Sequence, residues 1–183
     1  MKSKFDQALL LFQKREFSKA KEICLEILKE KSNDPNIYNF YAIILINLRN
    51  IKEAIENWDK AIQIDENYID AYYNRGNAFF EIKKFDLAVK SFDKAIQIKP
   101  DYAEAYNNRG NALLELKKLQ SAIESFDKAI QIKPNFSEAY YNRGNAFLEL
   151  NNLESAIESF DKAIQIKPDY AEAYKNRGNA LLE

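Results

Sequence analysis

Residues Tyr73 to Phe80 read YNRGNAFF, and the phrase returns as NNRGNALL from Asn107, YNRGNAFL from Tyr141 and KNRGNALL from Lys175. Its glycines, Gly76, Gly110, Gly144 and Gly178, stand 34 residues apart and are the only 4 in the chain. A fixed period of this length marks a repeat protein, in which each unit leans on the next. The 183 residues divide into blocks 1–34, 35–68, 69–102, 103–136 and 137–170, then a half block, 171–183. The blocks from 103 and 137 agree at about three quarters of their positions, which fixes the period.

Within a block, apolar residues recur twice at helical spacing: Tyr72, Gly76 and Phe79, then Phe85, Ala88, Val89, Phe92, Ala95 and Ile96. Each block is therefore two short helices. The polar link Glu81 to Lys84 separates them, and Pro100, Pro134 and Pro168 end the second helix, because proline cannot continue the hydrogen-bond ladder. Small residues at Gly76, Ala88 and Ala95, and at their equivalents in later blocks, face large ones such as Phe79 and Phe92. Small against large is what close helix approach in a dense core requires.

Composition supports the all-α reading. Hydrophobic residues make up 46% and charged residues 30% of the chain, with only 4 glycines and 4 prolines, so a packed helical protein is favoured over a turn-rich β fold. The formal charge of -1 offers no field for a phosphate backbone, and nucleic acid is not an expected partner. No apolar run approaches a membrane span, and residues 1–30 lack the uninterrupted apolar segment of a signal peptide. Cys24 stands alone, so no internal disulfide forms. A cytoplasmic protein is the expectation. Without a single histidine, His-dependent acid–base catalysis and His-ligated metals are excluded; no glycine-rich phosphate loop or nucleophile motif occurs either. No enzyme activity and no cofactor are expected of these residues.

The order aromatic, glycine four on, aromatic three later, then alanine, aromatic, alanine and proline is met by Tyr72, Gly76, Phe79, Ala88, Phe92, Ala95 and Pro100. In this the sequence resembles the tetratricopeptide repeat (TPR) family. The first two blocks are looser, with Ala8, Ala20 and Cys24, then Ala42, Ala54, Trp58 and Ala61, in the pattern's places. Cys24 and Trp58 fall where Phe92, Phe126 and Phe160 fall, and are expected in the core. The resemblance implies an all-α, right-handed superhelical solenoid of antiparallel hairpins, five hairpins plus one terminal helix, forming a single domain over 1–183. It also implies that the first helix of each hairpin lines a concave groove.

On that helix, Asn is a poor choice for helix stability, yet Asn74, Asn108, Asn142 and Asn176 recur, each followed three residues later by Asn77, Asn111, Asn145 or Asn179. A carboxamide both donates and accepts, matching the peptide group, so such a row can hold an extended chain whatever its sequence. For the second set, bridging between adjacent helices is the competing reading. Tyr73, Asn107, Tyr141 and Lys175 vary at one position of the same face and are candidates for side-chain preference. The row is similar to the asparagine ladder of the nucleocytoplasmic O-linked N-acetylglucosamine transferases. That likeness reaches only Asn74, Asn108, Asn142 and Asn176, since Phe40 and Asp6 hold the place in the first two blocks.

The carboxylate clamp of chaperone adaptors fits less well, because Asp70, Glu104, Glu138 and Glu172 stand where its third helix needs lysine. Arg75, Arg109, Arg143 and Arg177 share their period with Asp59, Asp93, Asp127 and Asp161, and pairing between these series is expected.

The function implied is a scaffold that captures a protein or peptide partner in the groove. The alternative is the substrate-recruiting arm of a larger glycosyltransferase. Residues 171–183 repeat an internal first helix rather than a polar cap, so self-association through that exposed helix is a further expectation.

Overall fold

The computed structural model describes residues 3–30 and 33–182, among which eleven helices and no strand occur. The chain divides into two compact units, Met1–Ala78 and Phe79–Glu183. In the first, α1 (Lys4–Gln13) packs on α2 (Phe17–Glu30), α2 on α3 (Pro35–Asn47) and α3 on α4 (Ile51–Ile64), and α5 (Ile69–Glu81) carries the boundary. In the second, α6 (Phe85–Ile98), α7 (Ala103–Glu115), α8 (Leu119–Ile132), α9 (Ser137–Glu149), α10 (Leu153–Ile166) and α11 (Ala171–Ala180) each pack on the next. Helices α7, α9 and α11 also touch one another in order, so the first helices of these hairpins form a continuous row. The element order is that of five hairpins and one terminal helix.

The helix ends follow from local chemistry. Helices α6, α8 and α10 stop two residues before Pro100, Pro134 and Pro168. Pro35 has the opposite role: it opens α3 behind the Asp34 cap, whose carboxylate accepts from the Asn36 amide at 2.9 Å, where proline's missing N–H costs nothing. Ser3 and Asp6 close a reciprocal capping box on α1.

The turn within each hairpin departs from the usual residue choice. Arg15, Arg49, Lys83, Lys117 and Asn151 all have φ between 57° and 61°, a left-handed conformation that favours glycine. Each sits one residue before an amide that reaches back to close the helix, as Lys118 N does to the Leu113 carbonyl at 2.9 Å and Asn152 N to Phe147 at 2.9 Å. The four glycines lie instead inside helices, and none has positive φ.

Their use is packing. A Cβ on Gly110 would lie 2.5 Å from the Phe126 ring, and one on Gly144 would lie 2.5 Å from Phe160. Phe92, Phe126 and Phe160 are fully buried, as are Ala122, Ala129, Ala156 and Ala163 around the last two. Cys24 and Trp58 hold the same register in the first unit and are likewise buried, as expected. Burial pushes the Cys24 thiol up to about 12, since a thiolate there would lose its hydration.

Candidate functional site

The arginine series is built as its period predicts. Arg75 reaches Asp59 at 2.5 Å, Arg109 reaches Asp93 at 2.6 Å, Arg143 reaches Asp127 at 2.8 Å, and Arg177 pairs with Asp161. Each pair joins a first helix to the second helix of the preceding hairpin. Serines on the helix's own hairpin partner complete the link, a feature the sequence reading missed. Arg109 donates to Ser125 Oγ at 2.7 Å and Arg143 to Ser159 Oγ at 3.1 Å. Those hydroxyls donate in turn to the Ser121 and Ser155 carbonyls, both at 2.8 Å. One guanidinium therefore ties three consecutive helices. The visible signal was the Ser-Phe pair repeating at Ser91, Ser125 and Ser159.

The asparagine face lies on the row of α7, α9 and α11. Asn74, Asn108, Asn142 and Asn176 are all half-buried, as are Asn77, Asn111 and Asn145, whereas Asn179 is exposed. Their amide donors reach backward along the array. Asn142 Nδ2 donates to Asn107 Oδ1 at 3.0 Å; Asn176 Nδ2 donates to Asn145 Oδ1 at 2.8 Å and to the Tyr141 hydroxyl at 3.2 Å. Asn107, only 6% exposed, also donates to Asn108 Oδ1 at 3.2 Å. In the first unit Asn74 donates to Asn39 Oδ1 at 3.2 Å, and Asn39 also accepts from the Trp58 indole at 2.9 Å. Bridging thus involves the first asparagine set as well as Asn145.

The opposite end of these carboxamides differs. Among the described residues the Oδ1 atoms of Asn142 and Asn176 accept from no donor, and no fully buried side-chain polar atom lacks a partner. These carbonyls therefore reach solvent. Of the four variable positions, Tyr141 leans on Tyr170 with ring centroids 4.9 Å apart, Tyr73 is half-buried, Lys175 is exposed and Asn107 is held within the array. Asn39, which sequence reasoning passed over, occupies that same position one period before Tyr73.

The acids beside this row are partly neutralised. Glu104 receives Lys133 Nζ at 2.9 Å, and that ammonium holds its carboxyl below the ordinary range. Lys117 reaches Glu149 at 2.8 Å. Among the described residues no three His, Cys, Asp or Glu side chains gather to hold a metal ion, and no helix is long and apolar enough to cross a membrane.

Models of the TPR repeat match residues 48–83, 76–117 and 144–183, and models of the tetratricopeptide repeat match 103–136 and 125–158. No curated protein matches. Solved structures with the same fold include MamA, 27% identical, with a TM-score of 0.84 over 90% of this chain and 96% of that one. YrrB, described as a TPR protein with an unusual peptide-binding site, is 24% identical with a TM-score of 0.83 over 96% of this chain and 90% of that one. TTC0263, a thermophilic TPR protein in Thermus thermophilus, is 19% identical with a TM-score of 0.71 over 98% of each chain. The 34-residue period, the helix order and these matches agree: the chain belongs to the tetratricopeptide repeat family and has the all-α, helical-repeat solenoid fold of a protein-interaction scaffold.

Proposed function

We propose that the chain captures an extended segment of a partner polypeptide along the asparagine face, with carboxamide carbonyls accepting the partner's backbone N–H groups. The observation that carries this reading is the division of labour within the asparagines. Donors of Asn142 and Asn176 are held by the preceding repeat while their acceptors reach solvent. A carboxamide clamped from one side presents its carbonyl in a fixed direction, which lowers the ordering cost of binding.

The spacing suits an extended chain. Packed helices lie about 8–10 Å apart, and an extended chain advances about 3.3 Å per residue, so successive rungs meet every third residue. Backbone contacts give affinity without demanding a sequence, and Tyr141 and Lys175 supply side-chain preference. Asn111 and Asn179 widen the polar floor; Asn107 and Asn145 orient the rungs. YrrB's peptide-binding site, on the same fold, makes a peptide ligand chemically reasonable here.

A displayed library of random linear peptides, panned against the protein, tests this. Enriched peptides are expected to lose about 1–3 kcal/mol of affinity for the Asn142→Ala, Asn176→Ala double variant, from two lost hydrogen bonds, with helicity retained. Equal binding to both proteins would refute the ladder.

A further inference from the structure

Between α2, α3 and α4 the first unit has a pocket where the later repeats have a guanidinium. In the shared register Tyr41 stands at the position of Arg109 and Arg143, Asn57 at that of Ser125 and Ser159, and Leu25 at that of Asp93 and Asp127. Arg109 and Arg143 each bridge their aspartate and serine. Tyr41 instead turns its hydroxyl to Glu53 at 2.8 Å, and Leu25, Tyr38, Tyr41, Glu53, Glu56 and Asn57 line a cavity of about 340 Å³.

The lining suits a planar cation. Asn57 is 4% exposed and its Nδ2 donates to the Glu53 carbonyl at 2.8 Å, which fixes the orientation of the amide because a carbonyl only accepts. Among the described residues the Asn57 Oδ1 accepts from no donor, and no fully buried side-chain polar atom lacks a partner. That oxygen therefore opens into the cavity that Asn57 lines, an acceptor in want of a donor. Glu56, exposed at the rim, adds a carboxylate to that of Glu53. Tyr38 supplies a ring: its counterparts Tyr72 and Tyr140 carry the guanidinium carbons of Arg75 and Arg143 at 5.3 and 5.4 Å from their centroids. Over Tyr38 itself stands Lys60 Nζ at 5.7 Å, whereas its counterparts Lys94, Lys128 and Lys162 each reach a glutamine three residues on. The ring thus already draws a cation, but Lys60 leaves the Asn57 carbonyl unmet.

We infer that this cavity receives the guanidinium of an arginine side chain on a partner polypeptide. The plane stacks on Tyr38 in place of Lys60, and the N–H fork donates to Asn57 Oδ1 and to the Glu56 carboxylate. Lys29 and Lys60 also line the cavity, and Lys21 lies 3.8 Å from Glu53. A guanidinium prevails over these ammonium groups by meeting ring, carbonyl and carboxylate at once, which a point charge does not. Leu25, 38% exposed, and Leu28 give apolar surface to the stem of the arginine and to its neighbours in the partner chain. The site lies wholly in the first unit and does not rest on the asparagine face.

The test adds N-acetyl-arginine N-methylamide to the whole protein and follows the Asn57 side-chain amide and the Tyr38 ring by nuclear magnetic resonance. Saturable shifts at both groups are expected. The citrulline counterpart, which keeps the shape and loses the charge, should bind about tenfold more weakly, and the lysine counterpart should also be weaker. Leu25→Asp, at an exposed position, installs the aspartate of the later repeats and should tighten binding by about two- to fivefold, the worth of a half-exposed ion pair. Adding Tyr41→Arg to it supplies the guanidinium from within and should abolish binding, with urea unfolding checking that this double variant folds. Absence of binding, citrulline or lysine bound as tightly as arginine, or a Leu25→Asp variant that binds no better would each overturn the proposal. So would free arginine binding more tightly than the blocked form, the mark of a small-molecule site.

Discussion

The two units run on one 34-residue register but solve the same packing problem with different residues. At the position of Arg75, Arg109 and Arg143 helix α3 of the first unit has Tyr41, 2% exposed, whose hydroxyl donates to Glu53 at 2.8 Å. At the asparagine rung it has Phe40, ringed by Phe5 at 5.2 Å and Phe12 at 5.5 Å. Ile37, Ile44 and Leu45 are buried on the same helix. The second unit builds its core mainly from alanines and the fully buried Phe92, Phe126 and Phe160, with Leu113, Ile123 and Phe136 beside them, held by guanidinium links and faced with carboxamides. A hairpin stack therefore tolerates either an apolar or a polar first-helix face. The recurrence of asparagine in the second unit is a choice that packing alone does not require.

The widest expected contrast between the units is chemical. Cys24 stands where the second unit has phenylalanine, and its thiol is pushed from 9.0 up to about 12 by burial. At neutral pH it holds about a thousandfold less thiolate than in the unfolded chain, so alkylation should wait on opening of α2. The raised value also fixes a sign. Its contribution to stability is whole below about pH 9 and is lost as pH rises toward 12. Alkylation of the native protein at the rate of a free thiol would place Cys24 outside the core.

Glycine supplies the next contrast. Gly144→Ala should destabilise by about 1–3 kcal/mol through overpacking, since the fully buried Phe160 ring has no room to retreat. Gly178→Ala should instead gain about 0.5–1 kcal/mol from helix propensity alone. Urea titration of the two variants separates them, and equal effects would contradict the packing account. Arg143→Leu is expected to cost about 1 kcal/mol, held down because Asp127 is half exposed, and to leave peptide capture unchanged. Loss of capture with unaltered unfolding would make the arginine a ligand contact. The turns give an effect as small as that of Gly178→Ala: Lys83→Gly, at φ 59°, should stabilise by roughly 0.5–1 kcal/mol.

The period, the hairpins and the Arg–Asp pairs were legible because each is a spacing in the sequence. Left-handed turns at Lys83 and Lys117 were not, since lysine carries no mark of that conformation and the glycines lie elsewhere; only Asn151 is of a type that tolerates it. The inward bonds of Asn107, Asn142 and Asn176 were also hidden. A rung's partner lies 35 or 31 residues back, not 34, so the repeat register alone does not bring the two side chains together. Asn39 belongs with them, because its role depends on Trp58 and Asn74 meeting at one carbonyl.

The most direct measurement is a titration of a library-selected linear peptide followed by amide resonances, including the asparagine side-chain Nδ2 groups. Capture along the ladder predicts shifts at Asn108, Asn142 and Asn176 and along α7, α9 and α11, with α8 and α10 little moved. Shifts gathered on the outer faces of α8 and α10, with the asparagine side chains silent, would contradict it.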